Sequence, residues 1–240
     1  DPGEGPLAGV VIQLTGTDAN GAVSRSATTA ADGSYRFDDL LAGTYVVTEP
    51  TQPTGTLDAR TFAGSAGGTA SAAGSTPSTI SAITLGAGVV STANDFSETL
   101  PVAIRGRVYF DNDNDGVIDA GEGGIATQVI RITGTNDLGQ PVSRDVTTDA
   151  QGRFEATDLR PGTYTLTQPA QPANTANGIT TPGSAGGTAT GPATTPSAIT
   201  PIVLTTPGSA SNDNHFGEIP NNASIAGRVW LDRDNDGVID

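Results

Sequence analysis

Through most of the chain apolar and polar residues follow a period of two rather than 3.6. Ile104-Arg105-Gly106-Arg107-Val108-Tyr109 alternates, and Val129-Ile130-Arg131-Ile132-Thr133 is a β-branched run. Such spacing sends successive side chains to opposite faces of an extended strand. Tyr45-Val46-Val47-Thr48 and Tyr164-Thr165-Leu166-Thr167 each follow a Gly-Thr pair, and Asp-Gly, Pro-Gly and Asn/Gly clusters separate the runs. These are strand and turn signals. No segment has the amphipathic spacing of a useful helix. The pattern predicts an all-β sandwich.

The pattern also repeats. DPGEGPLAGVVIQLTGT from Asp1 returns from Asp119 as DAGEGGIATQVIRITGT, and GSAGGTA at 64–70 returns unchanged at 183–189. IRGRVYFDNDNDGVID at 104–119 returns as IAGRVWLDRDNDGVID at 225–240, so the offset drifts only from 118 to 121. Two copies of about 120 residues are therefore present, and periods of this kind mark arrays. The natural unit runs from the I-x-G-R-V strand to a closing F-x-E. On that framing 1–101 is a first sandwich whose residues 1–99 lack their first strand. Residues 102–222 are a complete second sandwich, and 223–240 hold the first strand and half loop of a third. Eight of eleven aromatics fall on four equivalent positions, Tyr35/Phe154, Tyr45/Tyr164, Phe96/Phe216 and Tyr109/Trp230, which predicts a repeated core. The Ala/Thr/Gly/Ser/Pro-rich stretches at 54–79 and 173–198 read as ordered loops or edge strands, because GSAGGTA keeps its place in both.

Composition removes whole classes of function. The net charge is −15, against phosphate-backbone binding and anionic lipid. Cys and Lys are absent, and all 11 bases are Arg. That excludes disulfides, thiol nucleophiles, zinc-thiolate sites, Schiff bases and Lys–Asn crosslinks. Met is absent too, as expected of a chain from inside a longer protein, and no 18-residue apolar run occurs.

One motif carries chemistry. Asp111-Asn112-Asp113-Asn114-Asp115-Gly116-Val117-Ile118-Asp119-Ala120-Gly121-Glu122 matches D-x-[DN]-x-[DN]-G-x5-E throughout. Calcium takes six to eight oxygens on a tight curve. Asp111, Asp113, Asp115, Asp119 and Glu122 with the Val117 carbonyl supply them, Gly116 makes the sharp turn, and Ile118 can anchor the loop. A second set is split: Asp232, Asp234, Asp236, Val238 and Asp240 give the first part of the loop, Asp1 and Glu4 the last. Strand-like flanks place the loop on a β frame rather than between helices. Asp95, Glu98, Asp213 and Glu218 offer a further set of carboxylates.

Other signals are weak. Asp113-x-Asp115 superficially matches a phosphatase nucleophile motif but lacks the preceding apolar strand, the helices and a Lys. His215 has Asp95 as its counterpart, which disfavours a catalytic base and favours a packing role. Gly86-Ala87-Gly88 reads as a turn, Asn222-Ala223-Ser224 fits a glycosylation acceptor, and Arg105 and Arg107 balance the acidic loop.

The order of motifs resembles one family closely. Gly106-Arg-Val-Tyr-Phe-Asp111 and Gly227-Arg-Val-Trp-Leu-Asp232 lead into the acidic loop. Within the repeat unit the loop is followed by D-G-x-[YF], L-x-x-G-T-Y and a closing F-x-E, seen in the first copy as Asp32-Gly33-Ser34-Tyr35, Leu40-x-x-Gly43-Thr44-Tyr45 and Phe96-x-Glu98. This resembles the B-type repeats of bacterial serine–aspartate repeat surface proteins, related to collagen-adhesin B-type domains. The resemblance implies tandem prealbumin-like or immunoglobulin-like β-sandwiches with EF-hand-like calcium loops, and a stalk role at the bacterial surface or in a secreted matrix. It carries calcium ligation over to the same loop residues in both sets. The expected function is a non-enzymatic, calcium-rigidified stalk or filament. Its expected partners are neighbouring copies of the repeat, head to tail, covalently or by strand complementation of 1–99 by 224–231. The alternative is an adhesin module binding a host protein or glycan.

Overall fold

The structure is a computed structural model; it describes residues 4–231, 233 and 238. Among them are sixteen strands and no helix. The first copy forms β1 (Val11–Asp18), β2 (Gly21–Thr28), β3 (Gly43–Glu49), β4 (Leu57–Phe62), β5 (Thr69–Ala70), β6 (Ser78–Leu85) and β7 (Asp95–Thr99). The second forms β8 (Val102–Phe110), β9 (Val129–Asn136), β10 (Pro141–Thr147), β11 (Arg153–Leu159), β12 (Gly162–Gln168), β13 (Thr175–Thr181), β14 (Thr188–Ala189), β15 (Ser197–Leu204) and β16 (Ala210–Pro220).

The two copies build matching five-stranded sheets, β2-β1-β3-β6-β5 and β10-β9-β12-β15-β14. Local chemistry explains the hairpins. At the β1–β2 turn the Asp18 carboxylate accepts the Asn20 N–H at 2.8 Å, and Gly21 takes a φ of +110° that a side chain would resist. The GSAGGTA segments are ordered, each ending in a two-residue edge strand, β5 or β14.

The facing sheets differ. In the second copy β8 lies inside the sheet β11-β8-β16-β13, parallel to β16 and antiparallel to β11. In the first copy the facing sheet among the described residues is the pair β4 and β7, and residues 34–38, the counterpart of β11, form no strand.

Alternation along the strands fills two apolar clusters. Ile12, Leu14, Tyr45, Val47, Ile80 and Ile83 form one; fourteen buried residues, among them Ile104, Val108, Phe154 and Phe216, form the other. At about 1.5–3 kcal/mol for each fully buried large aliphatic or aromatic side chain, these clusters are the main favourable term of the fold. In each copy a tyrosine ties its strand to the preceding turn, Tyr45 donating to the Leu41 carbonyl at 2.7 Å and Tyr164 to that of Arg160 at 2.5 Å. Burial pushes the Tyr164 phenol up to about 12.

The expectation of an equal core at all four aromatic positions needs correction. Tyr45, Tyr164, Phe154, Phe216 and Tyr109 are buried, but Tyr35 and Phe96 are only half-buried and Trp230 is 45% exposed. The cause is sheet composition: among the described residues no strand packs over Phe96 where β8 packs over Phe216, and residues 221–231 pair with no described strand.

Candidate metal loop

The acidic loop leaves the end of β8, a strand buried at Val102, Ile104, Val108 and Tyr109. Both ends of the loop are held. Phe110 donates its N–H to the Gly123 carbonyl at 2.9 Å, closing the loop on itself, while Asp111 donates to the Glu218 carbonyl at 2.9 Å, fixing its start to β16. Inside the curve the Asp111 carboxylate accepts the N–H groups of Asp115 and Gly116, both at 3.1 Å, and Asp115 accepts that of Val117 at 2.8 Å. Asn114 and Gly116 take φ values of +58° and +79°, the left-handed turns that such a coil needs.

Carboxylate oxygens of Asp111, Asp113 and Asp115 converge within 4.8 Å of one another. Asp111 is fully buried, and burial pushes its carboxyl up against the opposing pull of its backbone donors. Desolvation and mutual repulsion of three convergent carboxylates are the conditions a cation relieves. The side-chain oxygen of Asn114 is also buried without a partner. An all-oxygen donor set on a curved loop fits a hard cation such as calcium.

Not every predicted ligand joins this group. Glu122 is buried but spends its carboxylate on backbone, accepting the Asn112 N–H at 2.7 Å and the Asp119 N–H at 3.0 Å. Asp119 is exposed and lies outside the convergent set, and Val117 is 55% exposed. Ile118 is half-buried rather than a core anchor; it lines a cleft of about 490 Å³ with Arg105, Arg107, Arg153 and His215. His215 packs edge-on against Tyr109 at 6.2 Å, the packing role expected of it. In the split set Glu4 and Val238 are exposed, and Asp1, Asp232, Asp234, Asp236 and Asp240 lie outside the described residues.

Four residues that sequence reading missed shape the loop's bed. A Cβ on Gly217 would sit 2.8 Å from the Asp111 carboxylate, and one on Gly178 2.9 Å from the Asn114 side-chain oxygen. Ile179 packs 2.7 Å from the Cβ position of Gly116, and Thr181 donates to the Gly116 carbonyl at 3.3 Å. In the repeat register their first-copy counterparts are Ser97, Ala59, Arg60 and Phe62, none of them a glycine.

The further carboxylates do not gather into a second loop site. Asp95 and Asp213 are exposed, whereas Glu218 is fully buried and accepts Gln168 at 2.7 Å, the Gln171 amide, and Thr175 at 3.3 Å.

Both copies build β-sandwich sheets of matching strand order, and in the second an acid-rich loop follows its central strand. The chain belongs to the SdrD B-like domain family, whose model matches residues 1–97 and 102–216. It is 32% identical over 164 residues to serine-aspartate repeat-containing protein D of Staphylococcus aureus strain Newman, covering 68% of this chain and 12% of that protein. Over 167 residues it is 32% identical to serine-aspartate repeat-containing protein E of strain USA300, covering 69% and 14%. The chain thus spans about an eighth of the length of these relatives. Among solved structures, the minor pilin GBS52 of Streptococcus agalactiae aligns over 95% of this chain and 90% of its own at 14% identity and a TM-score of 0.31. The shaft pilin SpaA of Lactobacillus rhamnosus GG, as its E269A/D295N mutant, aligns over 94% and 91% at 12% identity and a TM-score of 0.34. The family is one of structural surface-protein repeats rather than enzymes, and the chain is extracellular, at the bacterial surface.

Proposed function

We propose that this chain is a non-enzymatic spacer, a series of β-sandwich repeats stiffened by calcium into a stalk or filament. Repeat boundaries fall at 1–101, 102–222 and 223–240. Its partners are neighbouring copies of the same repeat, met head to tail, along one chain or by strand complementation. The observation that carries the reading is the convergence of Asp111, Asp113 and Asp115 on a loop tied to β16 through Asp111 and Glu218. Calcium there fastens the first strand of a repeat to the last. Joints between copies are also short. Two residues separate β7 from β8, and Arg160 clamps Asp137 at 2.6 and 2.9 Å while donating to the Asp58 carbonyl of the first copy at 2.6 Å.

Extracellular sites of this loop type bind calcium at about 10⁻⁴–10⁻³ M. At tenfold excess over Kd a filled site adds about 1.4 kcal/mol. For a sandwich of this size that raises the melting temperature by roughly 5–10 °C. We expect such a shift between chelator and 10 mM calcium, and its loss in Asp113→Ala, which removes the ligand oxygen while its exposed position leaves the fold intact. Equal melting of the unmodified chain in both conditions overturns the calcium reading.

Arg160→Ala tests the joint. It is expected to leave melting within about 1 kcal/mol of the unmodified chain, since only a few polar contacts are lost. Small-angle scattering should show a broader distribution of maximum dimension. An unchanged scattering curve refutes a clamp at this joint.

A further inference from the structure

The outer face of the sheet β11-β8-β16-β13 carries a row of basic side chains. Arg153 of β11 stands directly opposite Arg107 of β8, and His215 of β16 is the register partner of Arg107 on its other side. Paired residues of neighbouring strands share a face, and like charges set opposite one another there are destabilising. The chain has 11 arginines against 26 acids, yet Arg105, Arg107 and Arg153 all line one cleft of about 490 Å³ on this face. The sandwich does not require them. Where the second copy has Arg153, Glu155 and His215, the first has Ser34, Arg36 and Asp95.

Part of this row is left unspent. Arg105 is engaged, donating to Glu155 at 2.5 Å and to the Asn212 side-chain oxygen at 3.4 Å. Arg107 uses only its Nε, on the Gln151 carbonyl at 2.9 Å. The exposed Arg153 guanidinium has no hydrogen-bond or ion-pair partner among the described residues. His215 Nδ1 is buried without a partner, and its Nε2 lies 4.0 Å from Asp213. Burial pushes the imidazole pKa down, with Asp213 and Arg107 pulling it in opposite directions, so at neutral pH the ring is uncharged and offers one N–H. Two guanidinium groups and an imidazole on one cleft make a donor set for a carboxylate, which arginine takes through two parallel N–H bonds.

The rest of the lining decides what carries that carboxylate. Glu155, Asn212 and Asp213 stand on the same cleft and bring acceptor oxygens. Two of them are acids, so a run of anionic groups meets repulsion there, and the net charge of −15 adds to it. Hydroxyl groups suit the same acceptors. A peptide finds no main-chain pairing on this face either, because β8 and β16 are each paired on both sides. Side chains alone do the recognising. Ile118 adds an apolar edge, and the cleft has the volume of a small-molecule site. One carboxylate surrounded by hydroxyls is the chemistry of an acidic sugar.

We propose that this cleft binds an acidic sugar residue, its carboxylate held by Arg107 and Arg153 beside His215 and its hydroxyls by Glu155, Asn212 and Asp213. The like-charge pair Arg107–Arg153, a cost to the sheet alone, is then neutralised by the ligand. The second copy becomes a point of contact with a uronic-acid-bearing glycan, which the first copy, with Ser34 and Asp95 in the row, is not. The site goes beyond the spacer reading and rests neither on it nor on calcium.

His215 is the only histidine of the chain, so its imidazole proton resonances report on the cleft directly. The 240-residue chain, with no calcium added, is titrated with sodium glucuronate at fixed pH and ionic strength. A saturable shift is expected, with a Kd on the order of 1 mM for a single sugar. Glucose, which lacks the carboxylate, and acetate, which lacks the hydroxyls, should each bind about tenfold more weakly or worse. Arg153→Gln should weaken glucuronate binding by about tenfold or more and melt like the unmodified chain, since its guanidinium holds nothing in the fold. No saturable shift up to about 100 mM glucuronate overturns the proposal. So does binding unchanged in Arg153→Gln. Acetate binding as tightly as glucuronate, or an oligo-aspartate peptide binding more tightly, overturns the assignment to a sugar.

Discussion

Gly106→Val is expected to abolish the second-copy sandwich while leaving the first-copy sheet in place. β8 is the strand with most to lose, paired on both sides and buried at Val102, Ile104, Val108 and Tyr109. At Gly106 the first side-chain carbon already stands 1.8 Å from a backbone oxygen of β16, and the next nearest atom belongs to the Phe154 ring at 2.5 Å. A flexible neighbour can swing away, but the Asn214 carbonyl is part of the β8–β16 ladder, and moving it undoes the pairing that holds Asp111 to Glu218. Overpacking in a core that can shift costs about 1–3 kcal/mol. A clash with fixed backbone belongs to the rarer class above about 4–5 kcal/mol, comparable with the whole stability of a small domain. Hydrogen exchange read by segment is the measurement. Protection should vanish across 102–216 and persist across 11–85. Protection retained in both places shows that β8 is not the keystone of its sheet. The same substitution at Gly227 makes the contrast, since a Cβ there meets nothing within 4 Å.

The period of two and the internal repeat make the strands legible, because side-chain alternation is a local property that sequence records directly. The edge strands at Thr69–Ala70 and Thr188–Ala189 were legible for the same reason, a shared sequence at a shared place. Burial is different. Tyr35 and Phe96 have the same kind of residue and spacing as Phe154 and Phe216, yet they are half-exposed, because burial depends on a neighbouring strand and not on the residue itself. At the loop, the spacing put five carboxylates and the Val117 carbonyl in one set, and of these the carboxylates of Asp111, Asp113 and Asp115 converge. It could not show how the loop coils so that Glu122 is taken up by the backbone N–H groups of Asn112 and Asp119, nor that Gly178 and Gly217 are small to admit the loop, since the latter two stand on strands distant in sequence. One signal was present and unread: in β3 the inward positions run Tyr45, Val47, Glu49, so an acid stands where alternation calls for a core residue.

That acid leads to the second large effect. Glu49→Gln is expected to stabilise the first copy above neutral pH. Glu49 and Asp58 are 3% and 4% exposed and stand with Glu98, and one oxygen of each of the three has no hydrogen-bond partner. The second copy solves the same packing with amides. Gln168 donates to Glu218 at 2.7 Å in the place of Glu49, and Asn177 donates to the Thr194 carbonyl at 3.0 Å in the place of Asp58. A protonated Glu49 can donate to Glu98 as Gln168 donates to Glu218; an ionised one faces two further carboxylates. Burial first, then the charge of Glu98, pushes Glu49 up to about 8, and burial raises Glu98 as well. The folded state therefore holds this proton to higher pH than the unfolded chain does. Its stabilisation is complete below the ordinary glutamate range and drains away as pH climbs from about 4.5 toward 8. Sharing of the proton with Glu98 and relaxation of the pair keep the loss to about 2 kcal/mol, below the full conversion of the shift. Glutamine removes the titration at this position and keeps the donor. Denaturant unfolding followed by exchange of the 43–62 segment should show the unmodified first copy weaker at pH 8.5 than at pH 5, and the variant nearly level. A variant weaker than the unmodified chain at pH 8.5 means that the carboxylate is required ionised there, and the shared proton is then the wrong account of why three acids are buried together.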